Sequence, residues 1–325
     1  MLHTKRLHLM SVLVLALSCS AFAQPGGGRS YVSDSFVLTL DGVKCGFLKS
    51  TAGGAISAEV VAEPGSGPFV PKHLGKPRYG EFTLNCGFSL DKSFYEWIAQ
   101  SWQVTAKPKA GSVVALDRTL TPTSEQRFDK AIITSTTIPA MDGSSKEPAY
   151  LTVTIAPGVI QNGPGSGSRE EYSAVGKSQQ QKAWLPCNFK LEIDGIDCTR
   201  VGRIEPFTVG QSVGTDMKAL ETAQVSRRIN FPNLKLTVSE VGAQSFIDWH
   251  KASVVEGKGV ERNGRLTLFG PTQQGVLLQI KFYNLGIFSL EPSKAEASAD
   301  QVKRVEVELY VERMELLFGG GAAAQ

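Results

Sequence analysis

The chain has 325 residues, 42% of them hydrophobic, and its 34 Lys and Arg nearly balance its 31 Asp and Glu. The near-neutral charge and the lack of a basic stripe give no support for a nucleic acid or an anionic membrane as partner. At roughly 150 residues per domain, the length predicts two domains.

The first residues have the order of a secretory signal peptide. The basic stretch MLHTKR precedes the apolar run LHLMSVLVLALS, and Ala21 and Ala23 are the small residues that signal peptidase prefers. We expect residues 1–23 to be removed before Gln24 and the protein to be exported, periplasmic or extracellular. The alternative is a lipoprotein modified at Cys19. No later stretch is apolar enough to span a membrane, so none is expected in the mature protein.

The clearest feature of the sequence is an internal repeat. FVLTLDGVKC at residues 36–45 returns as FKLEIDGIDC at residues 189–198, a shift of 153 positions. The match continues into SFYEW at residues 93–97, which aligns with SFIDW at residues 245–249. A nearly constant shift over this length predicts the duplication of a whole domain.

The repeat and the composition set the predicted domain boundaries. A stretch rich in Gly, Ser, Gln and charged residues separates the two copies and is interpreted as a linker. After the signal peptide we expect a flexible arm at 24–33, a first β domain at 34–158, the linker at 159–184, a second β domain at 185–318 and a flexible tail at 319–325.

Each copy begins with a predicted β-hairpin. Apolar and polar residues alternate in FVLTL, which is typical of a strand with one buried face. The dipeptides Asp41–Gly42 and Asp194–Gly195 predict two-residue turns, because glycine accepts a positive φ. This register places Leu38 opposite Cys45, so the cysteine is expected to face the core.

A strand and a short helix follow in each copy. Asp91 is a plausible N-cap for the first helix. Phe94 and Trp97 lie at helical spacing, and Phe246 and Trp249 repeat them in the second copy. We expect these four residues to anchor the helices in the core, in preference to a sugar-binding platform.

The remaining strands complete the predicted fold class. They are rich in β-branched residues, which fit a pleated sheet. The sequence predicts a mainly β protein, with two tandem antiparallel β-sandwich or barrel domains that each carry one short α-helix. The predicted strands lie at 131–137, 150–155, 275–283 and 302–310.

Four cysteines would remain after export, in a compartment that allows disulfides. Cys45 and Cys86 both face inward from strands of the first copy, so a bridge is possible if those strands are neighbours. Cys198 has no equivalent partner, because Val238 stands in the second copy where Cys86 stands in the first. The alternative is that all four are small core residues.

The sequence has no catalytic or cofactor-binding signature. The patterns GxGxxG after a strand, GxxxxGK[ST], GxSxG and HExxH are absent. His73 and His250 are too isolated to form a metal site without carboxylate help. We expect no enzyme, no cofactor and no metal site.

Residues 34–102 resemble the tail tube proteins of contractile-tailed bacteriophages and related injection machines. The resemblance lies in the apolar strand with its Asp-Gly turn, the run PKHLGKPRYGEFTLNCG at 71–87, and the helix bearing Trp97. It implies a β subunit whose sheets join edge to edge into rings, which stack into a hollow tube. For a duplicated domain it implies a trimer with a pseudo-sixfold ring, or stacked rings.

The secretory signal departs from that family, whose tube subunits assemble in the cytoplasm. The alternative function is therefore an exported β-sandwich module that binds or adheres as a monomer. Its ligand would contact the long loops predicted at Ala52 to Arg78 and Gly210 to Arg228. No sequence-specific contact with nucleic acid is expected in either case.

Overall fold

The computed structural model describes residues 35–64, 67–178, 184–212, 228–273, 275–292 and 303–319. The predicted signal peptide with Cys19, the flexible arm, residues 179–183 of the predicted linker and the tail after Gly319 lie outside these residues. Within the described ranges, the first half of the chain is residues 35–178 and the second half is residues 184–319.

Strands make up most of the described first half. In one of them Phe82, Leu84 and Cys86 are buried and the residues between them are half-buried, because successive strand side chains point to opposite faces. The elements are β1 (Ser35–Leu40), β2 (Val43–Leu48), β3 (Ser50–Gly53), β4 (Ile56–Ala62), β5 (Lys72–Tyr79), β6 (Phe82–Cys86), α1 (Lys92–Trp102), β7 (Lys109–Leu116), β8 (Pro122–Ile138), β9 (Met141–Asp142), β10 (Leu151–Ala156), β11 (Val159–Pro164) and α2 (Arg169–Ser178).

The second half has a similar sequence of elements. Its helix follows a 3-10 turn at Glu240–Gly242 and runs directly into a π-helical turn at Lys251–Val255. The elements are β12 (Phe189–Ile193), β13 (Val201–Ile204), β14 (Phe207–Ser212), β15 (Arg228–Asn230), β16 (Leu234–Ser239), α3 (Gln244–His250), β17 (Arg262–Phe269), β18 (Val276–Pro292) and β19 (Arg304–Phe318).

The strands form a ten-stranded sheet, a seven-stranded sheet and a two-stranded sheet of β4 and β5, and every described pairing is antiparallel. The order β1-β7-β8-β10-β6-β3 of the larger sheet recurs as β12-β17-β18-β19-β16-β13 in the seven-stranded sheet. The predicted mainly β class is confirmed. The division into two domains stays a prediction.

Each large sheet contains strands from both halves. β14 and β15 of the second half belong to the ten-stranded sheet, because β14 pairs with β8. The short strand β9 of the first half pairs with β13 at the edge of the seven-stranded sheet. One cluster of buried side chains accordingly extends through both halves.

The stretch predicted as a linker contains regular structure. Strand β11 pairs with β8, and helix α2 follows it. Tyr172 of α2 is buried against Val37, Val114 and Leu116 on the outer face of the sheet. This apolar contact explains why a stretch of polar composition is ordered there.

Two sequence-based expectations about local structure are wrong. The first hairpin pairs Leu40 with Val43 as expected, but a bulge places Gly46, not Cys45, opposite Leu38. Gly46 has φ +131°, which glycine tolerates in a bulged strand. The predicted loop from Ala52 to Arg78 is mostly the hairpin of β4 and β5.

Candidate assembly surface

The two halves meet where β14 continues the sheet beyond β8. Phe207 lies opposite Ile138, and the pairing runs on as far as Gly210 opposite Ser135. Thr137 and Thr208 face each other on one side of this joint, with their hydroxyl oxygens 2.8 Å apart. A strand from one half is thereby used as the next strand of a sheet built by the other half.

Alternating side chains hold β14 in place. Phe207 and Val209 are buried, and Thr208 between them is exposed, as expected for a strand with one face on a core. Removing an aliphatic or aromatic side chain of this kind from water contributes about 1.5–3 kcal/mol. Burial of the two apolar side chains is therefore the main stabilising contribution of the joint.

Helix α1 contacts the same second-half hairpin. The side-chain amide of Gln211 donates a hydrogen bond to the carbonyl oxygen of Ser101. At the end of the helix, the ring of Trp102 meets that of Phe231 edge to face, with centroids 6.3 Å apart. The first half therefore offers both a sheet edge and a helix end to the second half.

A charged group joins the halves at β9 and β13. Arg203 Nη1 lies 2.9 Å from Asp142 Oδ2, and Arg203 Nε lies 2.7 Å from Glu205 Oε1. Hydrogen bonds from Ser144, followed by the contact with Arg203, hold the pKa of Asp142 below its usual value. The hydrogen bond from Arg203 similarly lowers the pKa of Glu205, against a smaller opposing effect of burial. Both carboxylates stay ionised opposite the guanidinium.

Aromatic side chains complete the contact between the halves. Tyr95 of α1 packs on Phe318 at the end of β19, with ring centroids 4.5 Å apart. Phe88 meets Trp184 edge to face at 5.5 Å. The hydroxyl of Tyr95 donates to the carbonyl oxygen of Gly87 at 2.8 Å, so its polar end is satisfied while its ring is buried.

The hairpin of β4 and β5 is the most exposed apolar surface of the first half. Within the described chain these two strands pair only with each other. Val60 is 60% exposed, Leu74 is 72% exposed and Phe69 in the connecting loop is 84% exposed. A two-stranded hairpin is marginally stable alone, and a patch of this kind is typical of an interaction site.

The comparisons with known proteins bear on this half of the chain. Residues 33–158 match the family model of the T4-like virus tail tube protein gp19. The resemblance predicted from residues 34–102 is thus confirmed and extends to residue 158. The match covers less than half of the chain and ends before the second half. No curated protein matches the chain.

Part of the chain is similar to several solved structures. One is the PVC sheath-tube complex of an extracellular contractile injection system, at 18% identity over 42% of this chain and 93% of the other, with a TM-score of 0.38. Another is the anti-feeding prophage tube terminating cap, at 22% identity over 46% and 99%, with a TM-score of 0.37. A third is Hcp1 from Flavobacterium johnsoniae, at 10% identity over 40% and 95%, with a TM-score of 0.26.

The predicted turn residues lie at tight turns with a positive φ at the glycine. Asp41 and Gly42 connect β1 to β2 with φ values of +47° and +84°. Asp41 also accepts a hydrogen bond from the backbone N–H of Ala110 at 3.1 Å. Asp194 and Gly195 follow β12, with Gly195 at φ +70°, and this turn closes only a single bridge between Ile193 and Ile196.

The predicted helix anchors are all buried: Phe94, Trp97, Phe246 and Trp249 are at most 2% exposed. Trp97 Nε1 donates to the carbonyl oxygen of Lys107 at 3.0 Å, and Trp249 Nε1 donates to that of Val260 at 2.7 Å. Asp91 caps α1 by accepting a hydrogen bond from the N–H of Ser93 at 2.9 Å. These side chains fix both helices in the core.

The four cysteines of the described chain are free thiols. Cys45 and Cys86 are fully buried, and burial raises their pKa values to about 11 and about 12. Cys187 and Cys198 are half-buried. The bridge between Cys45 and Cys86 therefore stays a prediction for the oxidised protein.

The described residues hold no group of three or more His, Cys, Asp or Glu arranged to bind a metal ion. His73 lies in exposed β5, 3.2 Å from Glu63, and His250 is the last residue of α3. Nor does any described helix have the length and apolar character needed to cross a membrane. Sequence reasoning missed the joint residues Phe207, Val209 and Trp102, since a local pattern does not say which strand covers another.

Proposed function

We propose that this chain is a structural protein that assembles with copies of itself by continuing β-sheets from one unit to the next, as the subunit of a ring or tube. The observation that carries the proposal is the joint inside the chain, where β14 of the second half extends the sheet at β8 of the first half. The tail tube family match over residues 33–158 supports the same kind of role. The proposal assigns the chain no catalytic step.

The proposal includes a tandem duplication, with one tube-like unit in each half. The repeated sequence and the repeated strand order support it. So do two residues with an uncommon backbone conformation: Lys130 in β8 has φ +52°, and Asn284 at the corresponding place in β18 has φ +53°. A positive φ at a non-glycine residue is rare enough that its recurrence supports a common origin.

A duplicated chain needs fewer copies to close a ring. If one unit offers a sheet edge and the next offers a strand, the contact is heterologous and closes when the rotation divides a full turn. With two units per chain, we propose three chains in a pseudo-sixfold ring. Rings would stack through surfaces that project from the ring, such as the exposed loop around Phe69.

Export is the part of the proposal that depends on the N-terminal sequence. Residues 1–23 have the order of a signal peptide, so we propose that the assembly forms outside the cytoplasm from chains that begin at Gln24. Mass spectrometry of the protein recovered from its producing cell tests this, because an uncleaved chain or a lipid on Cys19 would give a different mass.

Negative-stain microscopy and light scattering of the purified chain without residues 1–23 test the assembly. The expected result is rings with six units around, or short tubes, and a mass near that of three chains. A monodisperse monomer at high concentration would exclude the proposal. It would favour the alternative, an exported β-sandwich module that binds a ligand as a monomer.

A further inference from the structure

The two halves differ at one place in the sheet. Strand β4 of the first half is the counterpart of β14 of the second half, since β4 follows β3 as β14 follows β13. β14 pairs with β8 of the first half, whereas β4 pairs only with β5 among the described strands. Val209 in β14 is 1% exposed and Ile56 in β4 is 45% exposed. The first half thus carries a strand that lacks the partner its counterpart has.

The strand that receives β14 has a counterpart as well. β8 and β18 are both 17 residues long, and Lys130 and Asn284 match in φ. Each strand has a bulge at which one residue has no residue opposite it in the neighbouring strand. This residue is Thr134 in β8, which pairs with β10, and Phe288 in β18, which pairs with β19. All of these features agree with a shift of 154 positions. Ser135, Thr136 and Thr137 of β8 therefore correspond to Ser289, Leu290 and Glu291 of β18.

The corresponding edge of β18 is open within the described part of the chain. β17 pairs with β18 as far as Leu285, and the residues that follow are paired on the β19 side alone. Phe288, Glu291 and Pro292 are exposed there, whereas Ile138 at the matching place in β8 is buried. An unpaired edge presents free N–H and C=O groups to another strand.

The register of the hairpins is fixed by their pairing. Ser57 lies opposite Arg78 in the first hairpin, and Gly210 lies opposite Asn230 in the second. Arg78 and Asn230 each precede the next strand of their own half, β6 or β16, by the same four positions. Ala55, Ile56 and Ser57 therefore correspond to Thr208, Val209 and Gly210.

We propose that β4 of one chain pairs, antiparallel, with the open edge of β18 in a second copy of this chain. This inference rests on the proposed function and names the contact between chains that the ring needs. Among its described residues each chain has one such hairpin and one such edge, so the contact is heterologous. The expected register places Ala55 opposite Glu291, Ile56 opposite Leu290 and Ser57 opposite Ser289.

The side chains at this contact suit a buried joint. Inside the chain, Val209 lies opposite the buried Thr136. In the contact between chains, Ile56 takes the place of Val209 and Leu290 takes the place of Thr136. Both are aliphatic, and Leu290 already packs against the edge of the core. Pro292 ends the register, since it has no N–H to donate to a further strand.

A second contact is expected at the helix end. Inside the chain, Phe231 packs on Trp102 at the end of α1. Tyr79 in the first half is the counterpart of Phe231. In the second half, Val254 and Val255 at the end of the π-helical turn stand at the place that Trp102 has at the end of α1. Both valines are exposed, so the neighbour's Tyr79 would cover apolar surface that the single chain leaves in water.

Paired cysteines test the register directly. Because the hydroxyl oxygens of Thr137 and Thr208 are 2.8 Å apart, thiols at the corresponding positions are expected to reach disulfide distance. The variant Ala55→Cys/Glu291→Cys is oxidised at high protein concentration. The expected product is chains linked to one another through these two positions, identified by mass spectrometry of the linked peptides.

Two matched variants set the scale of this measurement. Thr137→Cys/Thr208→Cys places the same pair across the joint inside the chain and is expected to form a bond within one chain. Ala55→Cys/Lys281→Cys keeps the first thiol at position 55, next to β4, and moves the second thiol along β18. It is expected to give on the order of ten-fold less linked chain, because the second thiol no longer benefits from a high effective concentration.

The outcomes separate this inference from the proposed function. Bonds between chains through positions 55 and 291, with little product from the Lys281 variant, support the inference. Assemblies detected by light scattering without that bond overturn it and leave the proposed function standing. Monomers at every concentration, with no bond between chains, overturn both.

Discussion

Thr137 of β8 and Thr208 of β14 share a hydrogen bond at 2.8 Å although 71 positions separate them in the chain. The bond marks the place where a strand of the second half extends a sheet of the first half. Both hydroxyls lie near solvent, so this bond contributes less than the burial of Val209 beside it. The joint is therefore stabilised mainly by apolar side chains at a sheet edge.

Replacing Val209 tests how much the joint inside the chain depends on that burial. We expect Val209→Ala to lower the free energy of unfolding by about 2 kcal/mol, because a fully buried side chain leaves a cavity. Urea denaturation at low protein concentration measures the change.

Ile56→Ala is the matched control, since Ile56 has the same place in the exposed hairpin. Its effect on the single chain is expected to stay within about 0.5 kcal/mol. Equal losses in the two variants would mean that β4 is already covered in the monomer.

The tryptophans of the helices differ in hydrogen bonding, so we expect their replacement by phenylalanine to lower the free energy of unfolding by unequal amounts. Trp97→Phe leaves the carbonyl oxygen of Lys107 without its donor and is expected to lower the free energy of unfolding by about 1–2 kcal/mol. Trp249→Phe, which frees the carbonyl oxygen of Val260, is expected to behave alike. Thermal or urea unfolding gives the comparison.

Trp102→Phe serves as the control for these variants. Trp102 is also buried, but its Nε1 has no hydrogen-bond partner within the described residues. The change therefore removes no hydrogen bond, and a smaller loss than for Trp97→Phe is expected. A larger loss for Trp102 would show that ring size at the contact with Phe231 matters more than the hydrogen bonds.

Local patterns in the sequence were sufficient to predict the mainly β fold class. Alternation in FVLTL and in FTLNC predicts strands, and both segments are strands. FTLNC has buried alternate residues, whereas in FVLTL Val37 is buried as well as Leu38, because Tyr172 of α2 covers the second face. The spacing of Phe94 and Trp97 predicts a helix with a buried face, and α1 has both side chains in the core. Each of these signals depends only on neighbouring residues, which is why a single sequence carries it.

Longer-range features could not be predicted in this way. Phe207 and Val209 alternate as any strand with one buried face does, and nothing local says that β8 of the other half covers them. The run from Ala52 to Arg78 is dense in Gly and Pro, which predicted a loop, but β4 and β5 pair there. The bulge beside Leu38 had one available signal, the glycine at position 46 inside a strand pattern.

Arg203 gives a prediction about acid stability. Its bonds to Asp142 and Glu205 link β13 to β9, and both carboxyls have pKa values below their usual 3.8 and 4.5. A carboxyl whose pKa is lowered in the folded state stabilises the fold at pH values above its pKa in the unfolded chain. This contribution is lost as the pH falls through the pKa of the folded state. Because the groups are partly exposed, we expect Arg203→Met to lower the free energy of unfolding by about 1 kcal/mol at neutral pH.

The difference in free energy of unfolding between Arg203→Met and the wild type is expected to shrink below about pH 4, where the carboxyls of Asp142 and Glu205 become protonated. Urea denaturation at neutral and acid pH measures it. Lys258→Met removes an exposed ion pair with Glu256 inside one half and is expected to have no measurable effect. A difference that persists at acid pH would mean that the Arg203 side chain acts through packing.

Cys86 predicts the alkaline limit of stability. Burial raises the pKa of its thiol from an ordinary 9.0 to about 12. A thiol whose pKa is raised in the folded state stabilises the fold at pH values below its pKa in the unfolded chain. This contribution is lost as the pH rises from the pKa of the unfolded chain towards that of the folded state. With a reductant present, the free energy of unfolding is therefore expected to fall above about pH 9, by up to about 1.4 kcal/mol per pH unit for this group.

Cys86→Val is expected to remove that part of the alkaline slope and to fold normally, because Val238 occupies the corresponding buried position in β16. Urea denaturation at several pH values above neutrality compares the variant with the wild type. If Cys86→Val leaves the slope unchanged, the alkaline loss comes from other buried groups, such as Cys45 and Tyr95, whose pKa values burial also raises.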